Sequence, residues 1–363
     1  MRKIAHYTEN NNIYSAPKGL TSFYLHISLQ LLSRTALLFI ILFLLSFAAN
    51  AYQVGAGGRH SCAIDKNGVT CWGSDYNGQS TVPTLINPRK ISLGGSHTCA
   101  IDDSGVICWG WNSSGQIDVP TLINPVQLSS GGNHNCAIDD SGVVCWGSQG
   151  DAPSLSNPTQ VSVGTSHACS IDDSGVVCWG SDYSGQSTVP TLSNPVQVSA
   201  GAAHTCAIDD SGVVCWGYNG KDQSSPPLLS NPTQISTGGL HTCALDDTGV
   251  VCWGDYMQGQ TYVPALSNPT QISAGEYHSC ALDDSGVTCW KKNSFVDPTP
   301  PDSLSYTAIN GICGSNHNLL LSSIPIDNLC AAGNATDVTG TDPWAWSCTG
   351  LYGGSTASCS TEI

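Results

Sequence analysis

The stretch His204-Thr205-Cys206-Ala207-Ile208-Asp209-Asp210-Ser211-Gly212-Val213-Val214-Cys215-Trp216-Gly217 decides the fold, because it does not occur once. Its histidine returns at His60, His97, His134, His167, His241 and His278, in steps of 37 residues except for one of 33. Its tryptophan keeps phase at Trp72, Trp109, Trp146, Trp179, Trp253 and Trp290. A period of this kind marks a repeat architecture in which each unit is one supersecondary element.

Within the unit, Gln197-Val198-Ser199 reads as a short strand ended by a glycine corner at Gly201, and His204–Asp209 as a second strand. Asp210-Ser211-Gly212 is turn chemistry: short polar side chains bond nearby main-chain N–H groups, and glycine tolerates positive φ. Val213–Trp216 is the third strand, so the last two strands form a hairpin. A polar loop, Tyr218–Pro226 in this copy, and a Leu-Ser-Asn-Pro segment lead into the next unit. No helical period occurs in residues 52–300. The chain is therefore expected to be all-β. Seven units of roughly 40 residues, read as four-stranded, fit a seven-bladed β-propeller. A linear solenoid would need distinct capping units, and the first and last copies have ordinary cores.

The cysteines test the hairpin register. They pair at a spacing of nine as Cys62 and Cys71, Cys99 and Cys108, Cys136 and Cys145, Cys169 and Cys178, Cys206 and Cys215, Cys243 and Cys252, and Cys280 and Cys289. Folding about the turn sets Cys62 opposite Cys71 and Ile64 opposite Val69, all on one face. Opposed strand residues are close enough for a disulfide. Each bridge would close a ten-residue loop worth about 2.5 kcal/mol in the chain-entropy model. Zinc is the functional rival, but a spacing of nine without a Cys-x-x-Cys pair is poor zinc geometry.

Composition narrows the compartment and the partners. Residues 36–49 form an apolar run of 14 with Arg34 before it and Ala49-Asn50-Ala51 after it, the pattern of a secretory signal peptide over residues 1–51. The run is short for a membrane span, so membrane contact is expected only through an uncleaved leader. All 18 cysteines follow the leader, an even set suited to an oxidising compartment. The expected location is secreted, periplasmic or cell-surface. Seven Lys and Arg against 26 Asp and Glu follow residue 51, a formal balance of −19. Nucleic acid is excluded as a partner on that ground, since phosphate contacts need basic side chains.

The pattern Gly-x-x-His-x-Cys-Ala-Ile…Gly-Val-x-Cys-Trp-Gly…Gly-Gln resembles the repeat of the regulator of chromosome condensation family. In the first unit Gly57, His60, Ala63, Gly68, Val69, Trp72, Gly73, Gly78 and Gln79 carry it. The resemblance spans about residues 53–300 and implies a seven-bladed propeller. Two departures stand out. The interval after Trp146-Gly147 is four residues short (Ser148-Gln149-Gly150-Asp151), and the last copy ends Trp290-Lys291-Lys292 without the Gly-Gln loop. The family includes a nuclear exchange factor for a small GTPase and secreted bacterial members such as an inhibitor of β-lactamase. Fold alone does not choose between them, and no contact residue of either maps onto this chain.

After a linker at residues 293–306, a different segment follows at 307–363. Cys313, Cys330, Cys348 and Cys359 lie in a pattern that resembles short cysteine-paired modules of bacterial exported and surface proteins. Four cysteines allow three connectivities. Gly314-Ser315-Asn316-His317 imitates an eighth unit but lacks the hairpin after it, although a strand over Ser305–Ile309 could help close the ring.

The seven histidines invite a metal or pH-sensor role, but a repeated histidine bonding backbone between blades is the plainer reading. The tryptophans read as core packing, and the Asp-Asp-Ser-Gly turns as turn chemistry rather than calcium loops. No catalytic set, metal site or cofactor motif is visible: Gly-x-Ser-x-Gly, His-Glu-x-x-His and a phosphate loop are all missing, and every cysteine has a natural partner. The candidate binding residues are those that vary among copies, namely Arg59 and Tyr277 before the histidine and Tyr76, Trp111, Tyr183, Tyr218, Tyr256 and Tyr262 in the loops. Exposed aromatics among acids suit a rim that binds protein or glycan. The expected function is a non-catalytic, exported interaction propeller. The alternatives are a surface adhesin for glycans and an exchange factor for a small GTPase delivered to a host.

Overall fold

The computed structural model describes residues 53–291 apart from Gln149, residues 299–301 and 304, and five short strands beyond them. The leader over 1–51 and most of the linker at 293–306 lie outside the described residues.

Seven antiparallel sheets follow one another along the chain, each with its strands in sequence order. The fifth is representative: an inner strand Gln197–Ala200, a middle strand His204–Asp209 and an outer strand Gly212–Gly217. Its register sets Val198 opposite Ala207 and Cys206 opposite Cys215. Among the described residues each blade has three strands, not the four expected. The segment that would form a fourth carries Pro226 and Pro227 here, which cannot donate ladder hydrogen bonds. Its first half is committed to a turn that docks on the neighbouring blade.

All seven hairpin disulfides are present, with Cα–Cα distances of 4.0–4.1 Å. The inner cysteine of each pair is 0–1% exposed. Hydrophobic clusters lie between blades rather than within them. Cys169 and Ile171 of the fourth blade, for example, pack with Val198, Ala200, Ala207 and Trp216 of the fifth. A three-stranded sheet cannot bury both faces alone, so stacking around the ring supplies the core.

The ring closes through the main chain. Gly58 N donates to Gly94 O, Gly95 N to Gly131 O, and so on through Thr165, Ala202 and Gly239, until Glu276 N donates to Gly57 O at 3.1 Å. This circle requires close approach at the corners: a Cβ on Gly201 would stand 2.7 Å from both Gly238 O and the His204 ring. A second circle uses the inner strands, where Gln160 Oε1 accepts from Val198 N and Ser162 Oγ from Ala200 N. At the closing seam Gln271 and Ser273 take the same roles toward Val54 and Ala56. Leu304, 1% exposed, packs into that seam with Val54, Trp72 and Leu282. The strand expected at Ser305–Ile309 lies outside the described residues, but its immediate neighbour is thus part of the closure.

Beyond the ring, Ile312–Cys313 pairs with Cys330–Ala332, and Asn334–Ala335, Ala345–Thr349 and Ala357–Ser360 form a three-stranded sheet. None of these strands pairs with a blade strand. Register sets Cys313 opposite Cys330 and Trp346 opposite Cys359. The bridges expected among Cys313, Cys330, Cys348 and Cys359 rest on side chains outside the described residues.

Candidate interaction face

Two chain segments meet at one end of the first six blades: the glycine corner before the histidine and the loop after Trp-Gly. Their junction is a main-chain bond from the first loop residue to the residue before the histidine. It runs from Ser74 N to Arg59 O (2.9 Å), from Trp111 N to Ser96 O (2.9 Å) and from Tyr218 N to Ala203 O (2.8 Å). The structure therefore collects the candidate residues Arg59, Tyr76, Trp111, Tyr183, Tyr218, Tyr256, Tyr262 and Tyr277 on a single face. Tyr76 is 95% exposed and Tyr183 is fully so, whereas Trp111 and Tyr218 are less than half exposed. Arg59 stacks over the Tyr277 ring at 5.7 Å. An axial cavity of ≈ 140 Å³ opens among the glycine corners of all seven blades.

The loops that carry these aromatics are held from below. Gln79 is 2% exposed: its Oε1 accepts from Asn77 N at 2.9 Å and its Nε2 donates to Ser74 Oγ. Asp75 accepts from Ser80 N, Thr81 N and the Thr81 hydroxyl. The Thr81 hydroxyl foremost, helped by the Ser80 and Thr81 amides, holds the Asp75 carboxyl below the usual carboxylate range. The fourth-blade loop repeats the clamp with Asp182 and Thr188. Tyr76 and Tyr183 thus stand on pre-organised turns.

The carbonyl of the glutamine in each of these turns, Gly-Gln in four blades and Asp222-Gln223 in the fifth, reaches the next blade. Gln79 O accepts from Trp109 Nε1 (3.0 Å) and the Thr98 hydroxyl (2.9 Å). Gln116, Gln186, Gln223 and Gln260 repeat this with Trp146 and Asn135, Trp216 and Thr205, Trp253 and Thr242, and Trp290 and Ser279. The hydroxyl in turn meets a histidine: His60 Nε2 lies 2.7 Å from Thr98 Oγ1 and His204 Nε2 2.9 Å from Thr242 Oγ1. A hydroxyl has one proton, and here the Gln carbonyl takes it. The imidazole must therefore be the donor, protonated on Nε2 and bare on Nδ1. The expected histidine-to-backbone bond is corrected to a side-chain bond, since the hydroxyl or amide after the next histidine is the nearer partner.

Burial drives these imidazoles toward neutrality. It lowers His60, His204 and His241 to about 3, with neighbouring ring histidines adding to the effect. It lowers His134, His167 and His278 to about 4, and His97 also shifts down.

The seam between the third and fourth blades breaks the pattern. The loop there is the short one, and Ala168 replaces the hydroxyl. Among the described residues neither His134 Nε2 nor Trp179 Nε1 has a hydrogen-bond partner. The residue after each histidine is the feature missed by reading the sequence alone. Its signal was present: Ser61, Thr98, Asn135, Thr205, Thr242 and Ser279 are polar, and Ala168 is the exception.

On the opposite end the Asp-Asp-Ser-Gly turns are self-satisfied. Asp209 accepts from Ser193 N, Ser211 N and the Ser211 hydroxyl, while Asp210 Oδ2 accepts from Asn194 Nδ2 at 2.6 Å. Asn194 is in the left-handed region at φ 50°. Burial would raise the Asp209 carboxyl, but the Ser193 and Ser211 donors outweigh it and hold the group below the usual range. This is turn chemistry.

The model of the Regulator of chromosome condensation (RCC1) repeat matches residues 52–79, 89–116, 196–223 and 233–257. No curated protein matches the chain. Among solved structures, the ectodomain of the receptor kinase CR4 from Physcomitrella patens is similar at 24% identity and a TM-score of 0.59, covering 78% of this chain and 88% of that one. The CRINKLY WD40 ectodomain of the Arabidopsis thaliana receptor kinase ACR4 follows at 23% and 0.56, covering 69% and 98%. Prp20p from Saccharomyces cerevisiae, described with its binding to Gsp1p and histones, matches at 17% and 0.54, covering 66% and 82%. These likenesses concern the fold. The chain is a propeller of seven three-stranded blades, four units of which match the regulator of chromosome condensation repeat.

Proposed function

We propose that this chain is an exported, non-catalytic interaction propeller that binds a partner protein through the face formed by its corners and Trp-Gly loops. One observation carries the reading: the residues that vary among otherwise uniform repeats converge on one face, where Tyr76 and Tyr183 stand almost wholly exposed on clamped turns. Rigid aromatics of this kind are the usual anchors of protein interfaces. Seven hairpin disulfides, each with one buried cysteine, fit an oxidising compartment and weigh against a cytosolic exchange factor.

The test compares capture from the native secretome by the oxidised chain, by Tyr76→Ser/Tyr183→Ser, and by Asn194→Ala/Asn231→Ala on the opposite face. A specific partner lost with the first pair and kept with the second supports the reading. The reverse pattern, or retention by a glycan column instead of a protein, refutes it.

A further inference from the structure

The seam between the third and fourth blades is built like the others, but among the described residues no turn of the preceding blade hydrogen-bonds to its buried polar groups. At five seams the preceding blade inserts a turn, Gly-Gln at four and Asp222-Gln223 at one, whose Gln carbonyl takes both the next tryptophan indole and the group after the next histidine. At the closing seam, where the sequence after Trp290 lacks the Gly-Gln pair, Leu304 is buried and Trp72 has a partner of its own. Between blades three and four, four residues stand where the neighbouring loop has eight, from Trp111 to Asp118. The consequence is visible at the surface: Gly180 is exposed, whereas Gly110, Gly147, Gly217 and Gly254, which lie under a turn, are half-buried.

The walls of this seam retain the polar groups that the turn would satisfy. Trp179 Nε1 is a donor without an acceptor. His134 is fully buried, the residue after the next histidine is Ala168, and neither ring nitrogen has a hydrogen bond of good geometry, the His167 backbone standing close enough only to oppose in part the fall of its pKa. By analogy with the five histidines at the filled seams, His134 Nε2 is the protonated nitrogen and seeks an acceptor too. The loops on either side present Trp111 and Tyr183.

We propose that this seam is a docking site for a reverse turn of the partner protein, one that offers a main-chain carbonyl to Trp179 Nε1 and a hydroxyl or carboxamide oxygen to His134 Nε2. The five filled seams of the same molecule define that chemistry: a polar turn with a positive-φ residue, Gly or Asp222, before a glutamine whose carbonyl enters the seam. The incoming turn must supply the second acceptor itself, since Ala168 cannot relay one. The site rests on the proposed function and deepens it, by naming the sector of the face and the shape the partner presents.

The test uses the full, oxidised chain with ¹⁵N-labelled tryptophan indoles. The probe is a cyclised peptide with the sequence of residues 111–118, the turn that blade two inserts into blade three. A saturable downfield shift of one indole N–H is expected, that of the resonance missing from Trp179→Phe. Trp179→Phe should bind the peptide roughly tenfold more weakly, the loss expected for one hydrogen bond in a buried setting. Because that variant could be perturbed in its own packing, a second chain carries residues 111–118 grafted in place of 148–151. It should show no peptide binding and a Trp179 indole already shifted. Absence of a saturable shift, or equal binding by the grafted chain, overturns the proposal. The loss of capture by Tyr76→Ser/Tyr183→Ser would survive that outcome, so the two readings fail separately.

Discussion

Mild acid should unfold this propeller, and the histidine ring sets where. Each imidazole is neutral in the folded chain and has an ordinary value of 6.5 when unfolded; burial lowers six of them to about 3 or 4. The unfolded state therefore binds more protons below pH 6.5. Stability is at its full value above that pH and falls as pH drops toward the folded values. At pH 5 each unfolded histidine is protonated about 30 to 1, which removes about 2 kcal/mol per group. Six groups together remove on the order of 12 kcal/mol, comparable to the whole stability of an ordinary domain.

Urea or thermal unfolding followed by near-ultraviolet circular dichroism, at pH 7.5, 6.5, 5.5 and 5.0 and constant ionic strength, measures this directly. The midpoint should begin to fall below pH 6.5, with a slope approaching about six protons taken up on unfolding by pH 5. The depressed aspartates, such as Asp209, act in the same direction but only below about pH 4, so the two sets separate on the pH axis. Replacing His134 with Gln removes one proton from the slope. A midpoint equal at pH 7.5 and 5.0, or a loss confined below pH 4, would refute the assignment of neutral, buried imidazoles.

Other perturbations read other parts of the ring. Ala168→Thr returns an acceptor to His134 but buries a hydroxyl proton with no Gln carbonyl to take it, so the midpoint in denaturant melts should stay within about 0.5 kcal/mol; a gain above about 1 kcal/mol would show that the short loop needs no alanine beneath it. Gly201→Ala drives a methyl group against Gly238 O and the His204 ring, and a loss on the order of 2 kcal/mol is expected by the same assay. The double variant Cys206→Ala/Cys215→Ala opens one ten-residue loop and should lower stability by about 2.5 kcal/mol, with mass spectrometry showing the other hairpin bridges intact. Tyr183→Ser, at a fully exposed tip, should leave the midpoint within about 0.5 kcal/mol.

Much of this architecture is readable from the sequence because seven copies vote on each position. The hairpin about Asp210-Ser211-Gly212, the Cys206–Cys215 register and the inner strand at Gln197 follow from local rules of alternation and turn chemistry. What eluded those rules is contact between copies. A repeat read by itself cannot show that Gln79 O serves Trp109, because donor and acceptor lie 30 residues apart and in different blades. The same gap explains the fourth strand: polar, proline-containing loops resemble edge strands, and only the neighbouring blade shows where their hydrogen bonds go. The rim residues were legible by variation, yet their gathering on one face depends on the bond from Ser74 N to Arg59 O.

The two defects in the seventh copy and the third copy look alike in sequence, since each lacks a Gly-Gln turn. The structure separates them by chemistry. At the closing seam the group after the histidine is Ser61, which meets His278 Nε2 at 2.7 Å and needs no turn to do so, and Leu304 restores the buried apolar surface. At the third seam the hydroxyl was lost together with the turn that would have accepted its proton. A hydroxyl buried there without its acceptor would exchange one unsatisfied group for another, which makes Ala168 the consistent companion of the short loop. The histidine and the tryptophan nevertheless remain, although both could have been replaced by apolar side chains once their partners had gone. Two retained, desolvated donors facing the interaction side of the ring are hard to explain by packing alone, and a transient acceptor from outside the chain accounts for both.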